Sequence, residues 1–277
     1  PAQLRTEYIR QTEQASRLYD QFFTRPVVVN NYFQTEKDAA FIKTHPVLKR
    51  DFNYFTRWFE SWPKGKETEH TVGLAAWFFK SGGKSEGHTG VLTASNGSIA
   101  KLRLYSHQVV AHEYFHVVQD FYKQPRDLKG YESMAEFDKY YPPIFREGSA
   151  NTISFAIASK NPREYLNLYS GFIREKKTQS EVKLFGTLTS TKAVESALKK
   201  IENRRLFAEA HESSYSLGAL LYEWVIAEFG FDAYRRLIEN QLIGNSFEDN
   251  VKASLDISVD QMYKGAAPHI LAAFNQK

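Results

Sequence analysis

Residues 109–120 read VVAHEYFHVVQD, and the reading of this stretch decides how the rest of the chain is understood. Residues four apart share a face of a helix, so His112 and His116 project side by side, with Glu113 one step round toward the same cleft. Two imidazoles held by one helix chelate a zinc ion without the cost of ordering a loop, and a carboxylate beside them takes a proton from the water such an ion activates. Val109, Val110, Phe115, Val117, Val118 and Phe121 make the segment apolar almost all round, so it must be buried. Two imidazoles and a carboxylate inside a buried helix are costly unless something satisfies them. That cost favours a metal site over a satisfied pair of core histidines.

With no cysteine in the chain, disulfides, thiolate catalysis and cysteine-type zinc sites are excluded, and any metal must rest on histidine and carboxylate. At 277 residues the chain can bury a sizeable core, and two lobes around a cleft are expected. Hydrophobic residues at 42% and charged residues at 25% are ordinary for a globular protein. No apolar run approaches the roughly 18 residues that a membrane span needs. Lys and Arg exceed Asp and Glu by 36 to 32, a net +4, and the basic residues are scattered. That surplus reads as solvated surface rather than as a nucleic-acid footprint. The chain begins at Pro1, for which a removed signal peptide is one explanation, so the expected location is periplasmic or extracellular.

Outward from the histidine helix the two sides differ. Upstream, Leu4, Tyr8, Ala15, Leu18, Tyr19 and Phe22 recur at helical spacing, Val27 to Phe33 reads as a buried strand, and Thr35 caps a short helix through Ile42. Leu48, Phe52, Phe55, Trp58 and Phe59 predict a further helix. Thr71 to Phe79, TVGLAAWFF, predicts a strand, with Gly82, Gly83, Gly87 and Gly90 as a flexible connection to a second short strand over Val91 to Ala94. Downstream the pattern is helical throughout. Helices are predicted over Tyr131 to Tyr141, over Ile144 to Ser159, and from Pro162 onward. Thr189 or Ser190 caps one through Ile201, Ser213 or Ser214 caps YSLGALLYEWVIAEFG up to Gly230, and others start near Phe231, Ser246 and Ser258. The fold class is therefore α+β. Residues 1–123 form a mixed α/β upper lobe with a small sheet, ending in the zinc helix, and residues 124–277 form a helical lower lobe.

A catalytic zinc usually carries three protein ligands and a water, so the histidine pair needs one more. Downstream of His116 the candidates are Glu132, Glu136, Asp138 and Glu147, and only Glu147 stands in a string with further character, IFREGSA. HEYFH followed by that string resembles the gluzincin metallopeptidases, in which HExxH supplies two ligands and a glutamate on the next long helix the third; IFREGSA is similar to their WLxEGxA pattern. The resemblance implies a zincin-like fold, one Zn²⁺ bound by His112, His116 and Glu147, and Glu113 as general base. YSLGALLYEWVIAEFG looks like the helix that follows the site in minimal, peptidase-MA-like members, which places Tyr215 at the position of their oxyanion-stabilising tyrosine. Only the two metal motifs are specific, within a similarity over residues 90–240. The separation of His116 and Glu147 exceeds that of the thermolysin-like branch, and Ile144 or Phe145 stands where tryptophan is usual.

His211 lies four residues before Tyr215, so either side chain is a candidate donor to the developing oxyanion. Asp120, one turn beyond His116, is a candidate to orient an imidazole, whereas His107 falls off the ligand face. The expected function is hydrolysis of peptide bonds in a peptide or protein substrate. The alternative is a non-catalytic peptide- or protein-binding module on the same scaffold, its zinc structural or vestigial. An extended substrate is expected to pair with an edge strand, for which the candidate is Val91 to Ala94.

Overall fold

The computed structural model describes residues 2–46, 48–51, 71–81, 84–93, 108–122, 140–178, 184, 188–202, 210–240 and 246–275. The chain divides into two compact units, Pro1–Val117 and Val118–Lys277. The first combines helices with a small sheet and the second is helical throughout its described residues, an α+β architecture. No helix among the described residues is long and apolar enough to cross a membrane.

In the first unit, helix α1 (Ala2–Tyr19) buries Leu4, Tyr8, Gln11, Ala15 and Tyr19, a stripe at three- and four-residue spacing. A 3-10 turn, Asp20–Phe22, follows it. Strand β1 (Val28–Gln34) comes next and is only partly buried, with Val28 exposed at its start. Thr35 then accepts from the Lys37 N–H while Asp38 reaches back to the Thr35 N–H, a capping box that starts a 3-10 turn and helix α2 (Ala39–Thr44). Strands β2 (Thr71–Ser81) and β3 (Lys84–Thr93) complete a sheet of order β1-β3-β2, with β3 parallel to β1 and antiparallel to β2. Helix α3 (Val109–Tyr122) carries the histidine pair. Val109 and Val110 pack with Leu4, Tyr8, Val91 and Phe33, and Phe115 meets the rings of Tyr19 and Phe22 at 5.0 and 5.8 Å.

Two expectations about this sheet are corrected. The second strand of the hairpin begins at Lys84, not Val91, so Gly87 and Gly90 lie within the strand rather than in a flexible connection. Gly87 is there because α3 presses on the strand: a Cβ at this position would lie 2.2 Å from Val117 Cγ1. Nor is the Val91 segment an edge. Val91 pairs with Phe33 on one side and Gly73 on the other, so its backbone is committed to the sheet and has no ladder left to offer a substrate.

The second unit contains α4 (Pro143–Ala158), α5 (Pro162–Thr178), α6 (Thr191–Lys200), α7 (Ala210–Phe229), α8 (Phe231–Asn240), α9 (Phe247–Leu255) and α10 (Val259–Asn275). Pro143 opens α4 at a position where a missing N–H costs nothing, and almost every later residue of that helix is buried. Ser190 caps α6 and Ser246 caps α9, the latter with Asp249 closing a capping box. Gly230, at φ 83°, ends α7 in the left-handed conformation that only glycine adopts cheaply. The start of α7 differs from expectation. Ala210 and His211 are already helical, so Ser213 and Ser214 are buried interior residues rather than caps. The predicted helix over Tyr131 to Tyr141 lies outside the described residues except at its end. So does the one through Phe59 beyond the turn Leu48–Asp51.

Among the described residues of this unit α4 and α7 meet backbone to backbone, and glycines set the contact. A Cβ on Gly148 would stand 2.5 Å from the Gly218 Cα, and one on Gly218 would stand 2.6 Å from the Gly148 Cα. Gln119, in the last turns of α3, donates to the Arg146 carbonyl (2.9 Å) and to Ser149 Oγ (2.8 Å), which fixes α4 to that end of α3.

Candidate metal centre

In the first unit the helix periodicity of α3 brings His112 and His116 together without any further device. Their Nε2 atoms are 3.0 Å apart and their rings meet at 87°. With Glu113 they form a group whose ligand atoms all lie within 4.8 Å of one another. His112 and Glu113 are 5% and 6% exposed and His116 is half-buried, so His116 is the most accessible member of the group. The donor set fits a small divalent cation. Two imidazole nitrogens bound to one tetrahedral zinc are about 3.3 Å apart, and the observed pair needs to open by only a few tenths of an ångström. A carboxylate and two imidazoles taken out of water are stabilised when a cation gathers them. Around them Val109, Val110, Ala111, Phe115 and Val117 are buried apolar residues.

In the second unit a separate group forms where α4 crosses α7. Glu147, 4% exposed, immediately precedes Gly148, and His211, Tyr215 and Gly218 follow one another at four- and three-residue spacing along α7. The glycine contact therefore sets the Glu147 end of α4 against that stripe. His211 Nδ1 lies 3.8 Å from Glu147 Oε1, and His211 Nε2 lies 3.4 Å from the Tyr215 hydroxyl. Asn151 Nδ2 donates to the Tyr215 carbonyl at 2.9 Å, tying the two helices a turn further on. Arg146 Nε donates to Glu147 Oε1 at 2.8 Å. Burial works against the Arg146 charge, but the Glu147 carboxylate beside it outweighs that, and the guanidinium is held more firmly protonated than usual.

Of the residues singled out from the sequence, His112, Glu113 and His116 are thus gathered in one group, and Glu147, His211 and Tyr215 in another. Asp120 bears on Tyr141, where its charge joins burial in pushing that phenol well above its ordinary pKa. Glu132, Glu136, Asp138 and His107 lie outside the described residues. Arg146, Gln119 and the Gly148–Gly218 pair were not singled out beforehand. Their only signal was their place in the IFREGSA string, one turn from His116 or, for Gly218, within YSLGALLYEWVIAEFG.

Comparison of the chain with protein-family models, with curated proteins and with solved structures gave no match.

Proposed function

We propose that this chain is a zinc-dependent peptidase with a zincin-like fold of the gluzincin kind. The observation that carries the reading is the buried His112, Glu113 and His116 group on α3, whose donor types and spacing suit Zn²⁺. His112 and His116 supply two ligands, and Glu147, from the IFREGSA string, supplies the third. When bound, zinc polarises the scissile carbonyl and lowers the pKa of water toward neutrality. Glu113 accepts the proton of the attacking water and later delivers it to the leaving amine, the two roles a positioned carboxylate can fill in turn. Tyr215 or His211 donates to the oxyanion as it forms, which concentrates stabilisation on the transition state rather than on bound substrate. The substrate is a peptide or a protein.

The experiment is a peptide-library digest with the zinc-loaded wild type and with Glu113→Gln, zinc content being measured in both. The glutamine keeps size and shape but cannot take the proton. Zinc should be retained while cleavage falls by about 10²–10⁴-fold. A wild type with no zinc-dependent cleavage across the library, or a variant that cleaves equally well, would transfer the reading to a peptide- or protein-binding module.

A further inference from the structure

We infer that β1 is a self-association edge: two copies of this chain pair their β1 strands antiparallel about Asn31, joining two sheets of three strands into one of six. Among the described residues β1 pairs only with β3, so its other side is an edge of the sheet. Sheet edges that must stay apart carry charges, prolines or bulges that spoil pairing. The opposite edge, β2, has such an interruption, a register shift between Leu74 and Trp77. β1 has none. Its sequence, VVNNYFQ over Val28–Gln34, holds no charge, proline or glycine, and it keeps seven consecutive partners on β3 in unbroken register. Exposed large apolar side chains gather beside it. Val28 is 62% exposed, and Phe41, 54% exposed, packs on His45, whose ring lies 5.1 Å from that of Tyr32.

The strand complements itself in one orientation. Antiparallel pairing centred on Asn31 sets Val29 opposite Phe33, on the face where Phe33 meets Tyr8 of α1, so the apolar layer continues across the junction. On the other face Val28 stands opposite Gln34, and Asn30 opposite Tyr32. Gln34 is only 3% exposed, and both atoms of its amide lack a hydrogen-bond partner. A buried amide left so is costly. The pairing brings Asn30 of the second copy to the diagonal position, about 7–8 Å from Gln34 between backbones and within reach of an amide–amide hydrogen bond. Charge selects the same orientation. Residues 23–27 hold one charge, Arg25, whereas residues 35–38 hold two acids, Glu36 and Asp38, against Lys37. Antiparallel strands set the basic flank of each copy beside the acidic flank of the other, and parallel strands would set like beside like. That match belongs to a second copy and not to an extended peptide of unrelated sequence.

The test uses the full chain, in which the absence of cysteine makes any engineered disulfide assignable. Sedimentation of the wild type should give the mass of two chains at concentrations where Val28→Lys, which sets a charge on the exposed edge, sediments as one. Asn31→Cys should cross-link two chains on mild oxidation, because opposed residues of antiparallel strands have Cα atoms about 4.5–5.5 Å apart. Val28→Cys should not, since its two copies would lie six residues out of step, about 20 Å. Asn31→Cys loses the hydrogen bond from Thr89, and Val28→Lys supplies the readout if that variant does not fold. A monomeric wild type overturns the inference, as does a dimer that Val28→Lys leaves intact. Cross-linking through Val28→Cys, or through neither position, means that the copies meet in another way and overturns it too. A monomer whose β1 amides are shielded from hydrogen exchange only by an added extended peptide overturns it in favour of a peptide partner.

Discussion

Glu223, on α7 and remote in sequence from both metal motifs, is a carboxylate whose environment decides its charge. It accepts from Tyr165 (3.2 Å), Tyr169 (2.7 Å) and His269 Nε2 (3.1 Å), so one side chain ties α5, α7 and α10. Burial pushes its pKa up, but the His269 and tyrosine hydrogen bonds outweigh burial and leave it below the ordinary 4.5. A carboxyl with a depressed folded pKa binds its proton more readily in the unfolded chain. Its contribution is therefore whole above pH 4.5 and is lost as pH falls through the lower folded value. Chemical denaturation of wild type and Glu223→Gln across this range should show a stability gap that closes on acidification below 4.5. A gap independent of pH would mean that the carboxylate charge contributes nothing. At the same scale, the candidate site was legible where chemistry follows helix geometry. His112 with His116, and His211 with Tyr215, are pairs four apart whose proximity needs only the helix. Arg146 was illegible for the converse reason: adjacent helical residues diverge, and only the packed surroundings of α4 turn its side chain back to Glu147.

Between elements, the governing features are glycines, and their role depends on a partner distant in sequence. The α4–α7 crossing is built on Gly148 and Gly218, whose added methyls would meet opposing backbone at 2.5 and 2.6 Å. In an open helix, exchanging glycine for alanine gains about 1 kcal/mol from backbone entropy. Overpacking at a contact this close costs typically about 1–3 kcal/mol, and backbone cannot give way as a side-chain tip can. Gly148→Ala should accordingly lower the urea midpoint, against the sign of helix propensity. A midpoint equal to or above wild type would show that the helices are not in contact at these glycines. The same dependence explains the misread strand. Gly87 and Gly90 carry the local signature of a turn, yet Gly87 is a strand glycine because Val117, thirty residues on, fills the space of its side chain. Which strand lies in the middle of the sheet was likewise hidden. Parallel pairing of β1 with β3 joins segments far apart in the chain, and no local pattern of residues announces it. Local chemistry was legible in advance where a cap starts a helix: Thr35, Ser190 as one of two candidates with Thr189, and the helix start at Ser246.

At the scale of the whole chain, absent cysteine leaves histidine and carboxylate as the only strong metal ligands, and the described residues gather two histidines and a glutamate on one buried helix. Everything proposed about chemistry depends on that helix holding an ion. Metal binding draws on the same free energy as folding, so a resident ion should be present in stoichiometric amount and not as a trace. The direct measurement is elemental analysis of the full chain purified without chelator, with His112→Ala and His116→Ala alongside. One zinc per chain in the wild type, regained after stripping and dialysis near neutral pH and lost in both variants, is the predicted result. A wild type that carries no stoichiometric zinc and rebinds none near neutral pH, or variants that hold zinc as well as it does, would contradict the account.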